Sequence, residues 1–154
     1  MYLATVVLLM VVLPIGSVLM EALVVGGGMP VMMLVGKWFV FWGVGMRLLL
    51  AGMRQFFQPG FTAREIFKIT SDEALPLVRE LGVANFATGV VAVLSLWVPT
   101  FVLPVAISAG IFYGVAGVRH VAAQARSRNE TIAMVSDLFI FAVLLVYVGC
   151  LVIG

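Results

Sequence analysis

The stretch "KWFVFWGVGMRLLLAGMRQFF", Lys37 to Phe57, sets an arginine inside an apolar run. Nine uncharged residues separate Lys37 from Arg47, and six more follow before Arg54. A membrane-crossing helix needs about 20 mostly apolar residues, and this segment supplies them. An arginine at that depth costs several kcal/mol unless it is paired, hydrated or able to snorkel to the interface. The segment therefore marks a membrane chain and, within it, a buried polar position that needs a partner.

The rest of the composition agrees. Of 154 residues, 64% are hydrophobic and 10% charged, with a mean hydropathy of +1.22. A water-soluble domain carries about a quarter of its residues as charges, so this surface is made for lipid. The net charge of +2 is small, and nucleic acid is excluded as a partner because phosphate binding needs clustered Lys and Arg. Cys150 is the single cysteine; it has no internal disulfide partner and no metal-ligand spacing around it, so no metal site is expected.

Five apolar runs are long enough to span, at about 3–25, 31–56, 77–97, 100–121 and 131–153. The predicted fold is one all-α domain over 1–154, a polytopic bundle of five transmembrane helices, or four if the first run does not cross. The first run lacks the basic start of a signal peptide and is longer than a usual h-region, so it reads as a retained helix. Pro14 should kink it. "VVGGGMP", Val24 to Pro30, breaks the first run from the second, and "WVPT", Trp97 to Thr100, turns the third into the fourth. The polar connector 57–76 contains "FTAREIFKI", which suits either a short helix at the headgroups or a solvated link. Capping-box spacing occurs at Thr62/Glu65, Thr70/Glu73 and Ser127/Glu130.

Loop charge sets the expected orientation. With five spans, one side holds Arg64, Lys68, Arg126 and Arg128, with Arg54, Arg79 and Arg119 at adjoining helix ends. The other holds Lys37. This places the N-terminus in the cytoplasm and the C-terminus outside, in a bacterial inner membrane.

On that frame Arg47 lies roughly 15 Å from the cytoplasmic end of its helix, with Arg54 two turns on along the same face. Glu80 and Asn85 lie in the first turns of the third helix, and Asp137 is roughly 10 Å into the fifth. Arg47, Arg54, Glu80, Asn85 and Asp137 thus form an expected polar cluster in the cytoplasmic half. It serves as ion pairs holding helices in register, with Asp137 the preferred partner of Arg47, or as a cavity receiving an anionic headgroup or small anion, or as a proton relay. Glu21 and Lys37, flanking the glycine turn, are expected to pair across the hairpin. His120, the single histidine, reads as interfacial beside Arg119. Ala106, Gly110 and Gly114 are spaced four apart, a small-residue ridge for close helix packing in a bilayer; Asn85 and Gly89 form a weaker one.

No nucleophile, base and orienter occur together, and no GxSxG, Walker loop or HExxH is present. From Lys37 to His120 the chain resembles the DoxX-like group of small bacterial four-helix membrane proteins. The resemblance is carried by "RLLLAGMRQFFQPG" at 47–60 and "RELGVANFATGVVAVLSLW" at 79–97. It implies a compact helical bundle and an accessory role, since some of that group resemble small subunits of quinone-linked oxidoreductases. The additional N-terminal helix departs from the four-helix pattern. "VRELGVANFATG" is also similar to membrane glutathione transferases of the MAPEG type, but lacks the acidic residue expected after the asparagine. The expected function is an accessory subunit or a lipid- or quinone-interacting protein, homo-oligomeric or part of a larger membrane complex. The alternatives are a membrane enzyme using the Arg/Glu/Asn/Asp cluster and a small transporter. No cofactor is required by the sequence, although a quinone or lipid would suit the cluster.

Overall fold

A computed structural model describes residues 2–25, 28–122 and 127–153. The five runs form α1 (Tyr2–Val24), α2 (Val31–Phe57), α3 (Asp72–Leu94), α4 (Pro99–Ala122) and α5 (Arg128–Ile153). Each is long and apolar enough to cross a membrane, and the described residues contain no strand. The chain is an all-α, multi-pass helical bundle. Successive helices alternate in direction, so the starts of α1, α3 and α5 share one end with the connector; that end is called the connector end here.

Local chemistry sets the boundaries. Ser71 caps α3, its Oγ accepting from the Glu73 N–H at 3.3 Å, so the cap falls one residue after the expected Thr70. A 3-10 turn at Asp72–Ala74 then leads into the helix, with Pro76 in its first turn. At the other end α3 stops at Leu94, before the expected 97, and the turn residue Ser95 bonds the Ala92 carbonyl through its Oγ at 2.6 Å. Ser127 caps α5 as its spacing predicts, accepting from the Glu130 N–H at 3.2 Å. The same hydroxyl donates to the Glu65 carbonyl at 3.0 Å, tying α5 to the connector. Thr62 does not cap. The connector helix, over 59–66, begins instead at Pro59, and Thr62 is buried inside it with Ala63 and Ile66. Arg64 and Glu65 face outward, so this helix lies amphipathically against the end of the bundle.

The deformation expected near Pro14 takes the form of π-helical turns at Leu8–Val12, where the Leu13 N–H reaches the Leu8 carbonyl. A longer π-helical run, Phe39–Met46, lies in α2 immediately before Arg47.

Two glycine seams hold the bundle. Between α2 and α3, a Cβ at Gly52 would lie 2.6 Å from the Gly82 carbonyl oxygen and 2.6 Å from the Phe86 nitrogen. A Cβ at Gly89 would lie 2.7 Å from the Leu49 nitrogen, and one at Gly82 2.9 Å from the Phe56 nitrogen. Here backbone meets backbone, with no side chain able to yield. Between α4 and α5, the Ala106–Gly110–Gly114 ridge packs within the chain. Ala106 is fully buried, Gly114 faces the Phe141 ring and Gly110 lies beside Leu144 with room for a methyl group. The core between the seams contains Met10, Val40, Val44, Ile140 and Leu144.

At the end away from the connector, α1 and α2 are clamped as the hairpin spacing predicts. Lys37 Nζ donates to both Glu21 oxygens at 2.8 Å, and Trp38 Nε1 donates to Oε2 at 2.7 Å. Trp42 Nε1 donates to Ser17 Oγ at 3.1 Å one turn deeper. Gly28, in the linking turn, has φ of +66°, a conformation L side chains rarely adopt.

Candidate functional site

Toward the connector end the α2–α3 and α4–α5 pairs part and leave a cavity of about 1040 Å³. Every helix contributes to it: Tyr2 from α1, Arg47 and Arg54 from α2, Asn85 from α3, Tyr113, Arg119 and His120 from α4, Glu130 and Asp137 from α5. The connector helix closes one side with Phe61, Thr62 and Ile66.

Arg47 follows the π-helical run and turns toward the connector end. Its Nη2 donates to the Tyr2 hydroxyl at 3.2 Å, and its guanidinium carbon lies 5.7 Å from the Tyr2 ring centre. Its Nε is buried and has no hydrogen-bond partner. The Arg54 guanidinium carbon lies over Phe61, 3.6 Å from the ring centre, in a cation–π contact. Asn85 donates through Nδ2 to Gln55 Oε1 at 2.8 Å, fixing α3 to α2. Tyr113 is buried and donates to the Gly43 carbonyl at 3.1 Å, so α4 is tied to the π-helical stretch of α2. His120 Nδ1 lies 3.4 Å from Glu130 Oε1, while Glu130 Oε2 is buried without a partner. Asp137 is 8% exposed and makes no hydrogen bond to a described residue.

Arg47, Arg54, Asn85 and Asp137 therefore line one cavity. Glu80 does not line it and is exposed. Helical geometry explains this: Asn85 is five positions beyond Glu80, which turns them about 140° apart around α3. The expected direct Arg47–Asp137 ion pair is absent: Arg47 hydrogen-bonds Tyr2, and no described carboxylate lies within 4 Å of it, although Asp137 lies near enough to feel its charge. The start of α1 brings the Tyr2 hydroxyl within reach of the Arg47 guanidinium. The sequence reading left out Tyr2, Tyr113, Arg119, His120 and Glu130 as cavity residues. One signal was available, since Glu130 and Asp137 are seven apart, the spacing that put Arg47 and Arg54 on one face. Among the described residues no group of three or more His, Cys, Asp and Glu is gathered as metal ligands.

The wall is mixed by depth. The interior carries Tyr2, Arg47, Asn85, Tyr113, His120, Glu130 and Asp137, whereas Arg54, Arg119, Leu50, Ile111, Phe112 and Val115 line the cavity and are also exposed on the outside of the bundle. Ile111 and Val115 are 64% and 57% exposed, near the middle of α4. The cavity thus has an apolar lateral mouth and a polar interior.

Residues 2–153 match DUF6790, a family of unknown function. The chain belongs to the DUF6790 family. The match covers all five spanning helices, so every element that builds the cavity lies within it. Neither the curated proteins nor the solved structures compared with the chain give a significant match.

Proposed function

We propose that this DUF6790 protein binds a membrane amphiphile, a lipid or a quinone, whose head occupies the polar cavity and whose tail leaves through the lateral mouth. The observation that carries this reading is the union of an apolar mouth near the middle of α4 with a cavity lined by three arginines, two carboxylates and a histidine. Small-molecule sites are concave, mostly apolar, and carry a few convergent polar groups; at about 1040 Å³ this cavity exceeds what a headgroup alone would fill. A role as an accessory component of a bacterial inner-membrane complex fits this reading, because the DoxX-like resemblance implies such a role.

Obstructing the cavity tests the proposal. Ala116 lines it on α4. Added membrane lipid extract should raise the melting temperature of the wild-type protein in detergent by about 5 °C or more, the effect of a ligand well above its Kd. Ala116→Phe should fold and gain little from lipid. Equal lipid stabilisation of both proteins would mean that the lipid acts only on the outer surface.

The proposed orientation puts the connector end in the cytoplasm, because Arg64, Lys68 and Arg128 lie there while Lys37 lies at the other end. Cys150 is exposed near the far end of α5. Because Cys150 lies within α5, the readout belongs in the loops: in a Cys150→Ala background a membrane-impermeant maleimide added to spheroplasts should label Met29→Cys, in the α1–α2 turn, and should label Arg128→Cys only after the membrane is opened. The reverse pattern would invert the orientation.

A further inference from the structure

The donors and acceptors of the cavity are unevenly distributed, and that distribution selects among amphiphiles. On α2 and α4 the three arginines supply donors. Arg47 Nε is buried and unpartnered. Arg54 lies 3.6 Å from the Phe61 ring centre, and neither Arg54 nor Arg119 hydrogen-bonds a described residue. On α5 the free capacity is all acceptor: Glu130 Oε2 is buried and unpartnered, and Asp137 is 8% exposed with no hydrogen bond to a described residue.

A neutral quinone, which only accepts hydrogen bonds, would satisfy the arginines weakly and leave both carboxylates unmet. A choline headgroup places its cation near the arginines and offers no hydroxyl donor. A simple phosphate monoester meets the arginines but sets its negative charge against Asp137 and Glu130. The set is complemented by a head that is anionic on one side and carries hydroxyl groups on the other. Resting on the amphiphile reading above, we infer that the cavity selects an anionic lipid whose phosphodiester lies against Arg47, Arg54 and Arg119 and whose free hydroxyls donate to Asp137 and Glu130. This is the chemistry of a glycerol-headed phospholipid. Guanidinium groups suit the first half because they meet phosphate oxygens with paired, charge-assisted bonds. The carboxylates suit the second because an ionised acceptor strengthens a hydroxyl hydrogen bond. The acyl chain follows Ile111 and Val115 to the bilayer. Free glycerophosphate offers the same head chemistry without the tail.

Calorimetric titration of the purified protein in an uncharged maltoside detergent tests this with five probes: dioctanoyl phosphatidylglycerol, phosphatidic acid and phosphatidylcholine, glycerophosphate, and decylubiquinone. Phosphatidylglycerol should bind most tightly, by about tenfold over phosphatidic acid and more over phosphatidylcholine, the effect of one or two charge-assisted hydrogen bonds. Arg47→Met should weaken phosphatidylglycerol by about tenfold or more, with Arg47→Lys between the two. Asp137→Leu should remove the preference over phosphatidic acid while leaving anion binding in place. Arg54→Gln, at an exposed position, gives the anion arm a readout if Arg47→Met does not fold. Glycerophosphate binding as tightly as the lipid would overturn the lipid source. Decylubiquinone or phosphatidylcholine binding as tightly as phosphatidylglycerol, and unmoved by Arg47→Lys and Arg54→Gln, would overturn the headgroup assignment while leaving the amphiphile reading intact. Failure of all five probes to bind would overturn both.

Discussion

A Gly52→Leu chain is expected to fail to accumulate as folded protein. The first atom of any side chain at Gly52 would fall 2.6 Å from both the Gly82 carbonyl oxygen and the Phe86 nitrogen. These are backbone atoms of α3, so relief requires the two helices to separate along their whole contact. Overpacking a core side chain costs about 1–3 kcal/mol, and a backbone-to-backbone clash belongs at or above the upper end. Against a total stability of about 5–15 kcal/mol, that loss is enough to deplete the folded population. Gly89→Leu should behave alike, since its Cβ would meet the Leu49 nitrogen at 2.7 Å. Two controls separate this from a general intolerance of glycine replacement. Gly110→Ala meets nothing closer than Leu144 Cβ at 3.8 Å, and Gly16→Ala meets nothing within 4 Å. Both should leave the melting temperature nearly unchanged. Folded yield by fluorescence-detected size exclusion reads all four, and a Gly52→Leu protein as stable as wild type would mean that α2 and α3 do not share this seam.

The second large effect belongs to the hairpin clamp. Glu21 accepts from Lys37 Nζ and Trp38 Nε1, and the Lys37 and Glu21 side chains are 29% and 19% exposed. Glu21→Leu removes the acceptor and leaves an ammonium and an indole N–H facing an apolar interface. Charged hydrogen bonds contribute about 1.5–3 kcal/mol each, and partial exposure brings the expected loss to about 2 kcal/mol. The double variant Glu21→Leu, Lys37→Leu should recover most of it, since it removes the stranded charge with its partner. Thermal unfolding in detergent checks the pair; a double variant worse than the sum of the singles would show that Lys37 has another essential partner.

Much of this architecture is legible in the sequence because lipid enforces a simple rule. With no water to satisfy the backbone, apolar runs of sufficient length become helices, and all five runs did so. The Glu21–Lys37 pair and the Ser127 cap were equally legible, since each depends on a short separation or a short turn. The principal seam was legible only in part, through the Asn85–Gly89 spacing. Gly45, Gly52, Gly82 and Gly89 supply only two small residues per helix at a spacing of seven, a weaker pattern than the Ala106–Gly110–Gly114 ridge, and their significance appears only when the two helices face each other. The partner of Arg47 was hidden for a related reason. Depth along a helix follows from counting residues, and counting placed Asp137 near the right level. Which neighbour meets the guanidinium depends on how α1 is placed, and no local signal links Tyr2 to Arg47 across 45 positions. Glu80 shows the limit of reading by depth alone, because it shares a level with the cavity but not its face.

The central claim is that the cavity between the two helix pairs holds a membrane amphiphile. Native mass spectrometry of protein extracted gently from its membrane tests it most directly. The wild-type protein should carry one bound lipid mass that survives removal of the detergent shell, and the Ala116→Phe protein should lose that mass while keeping the weakly held lipids of its outer surface. Bare protein in both samples, or the same retained adduct on both, would contradict the account.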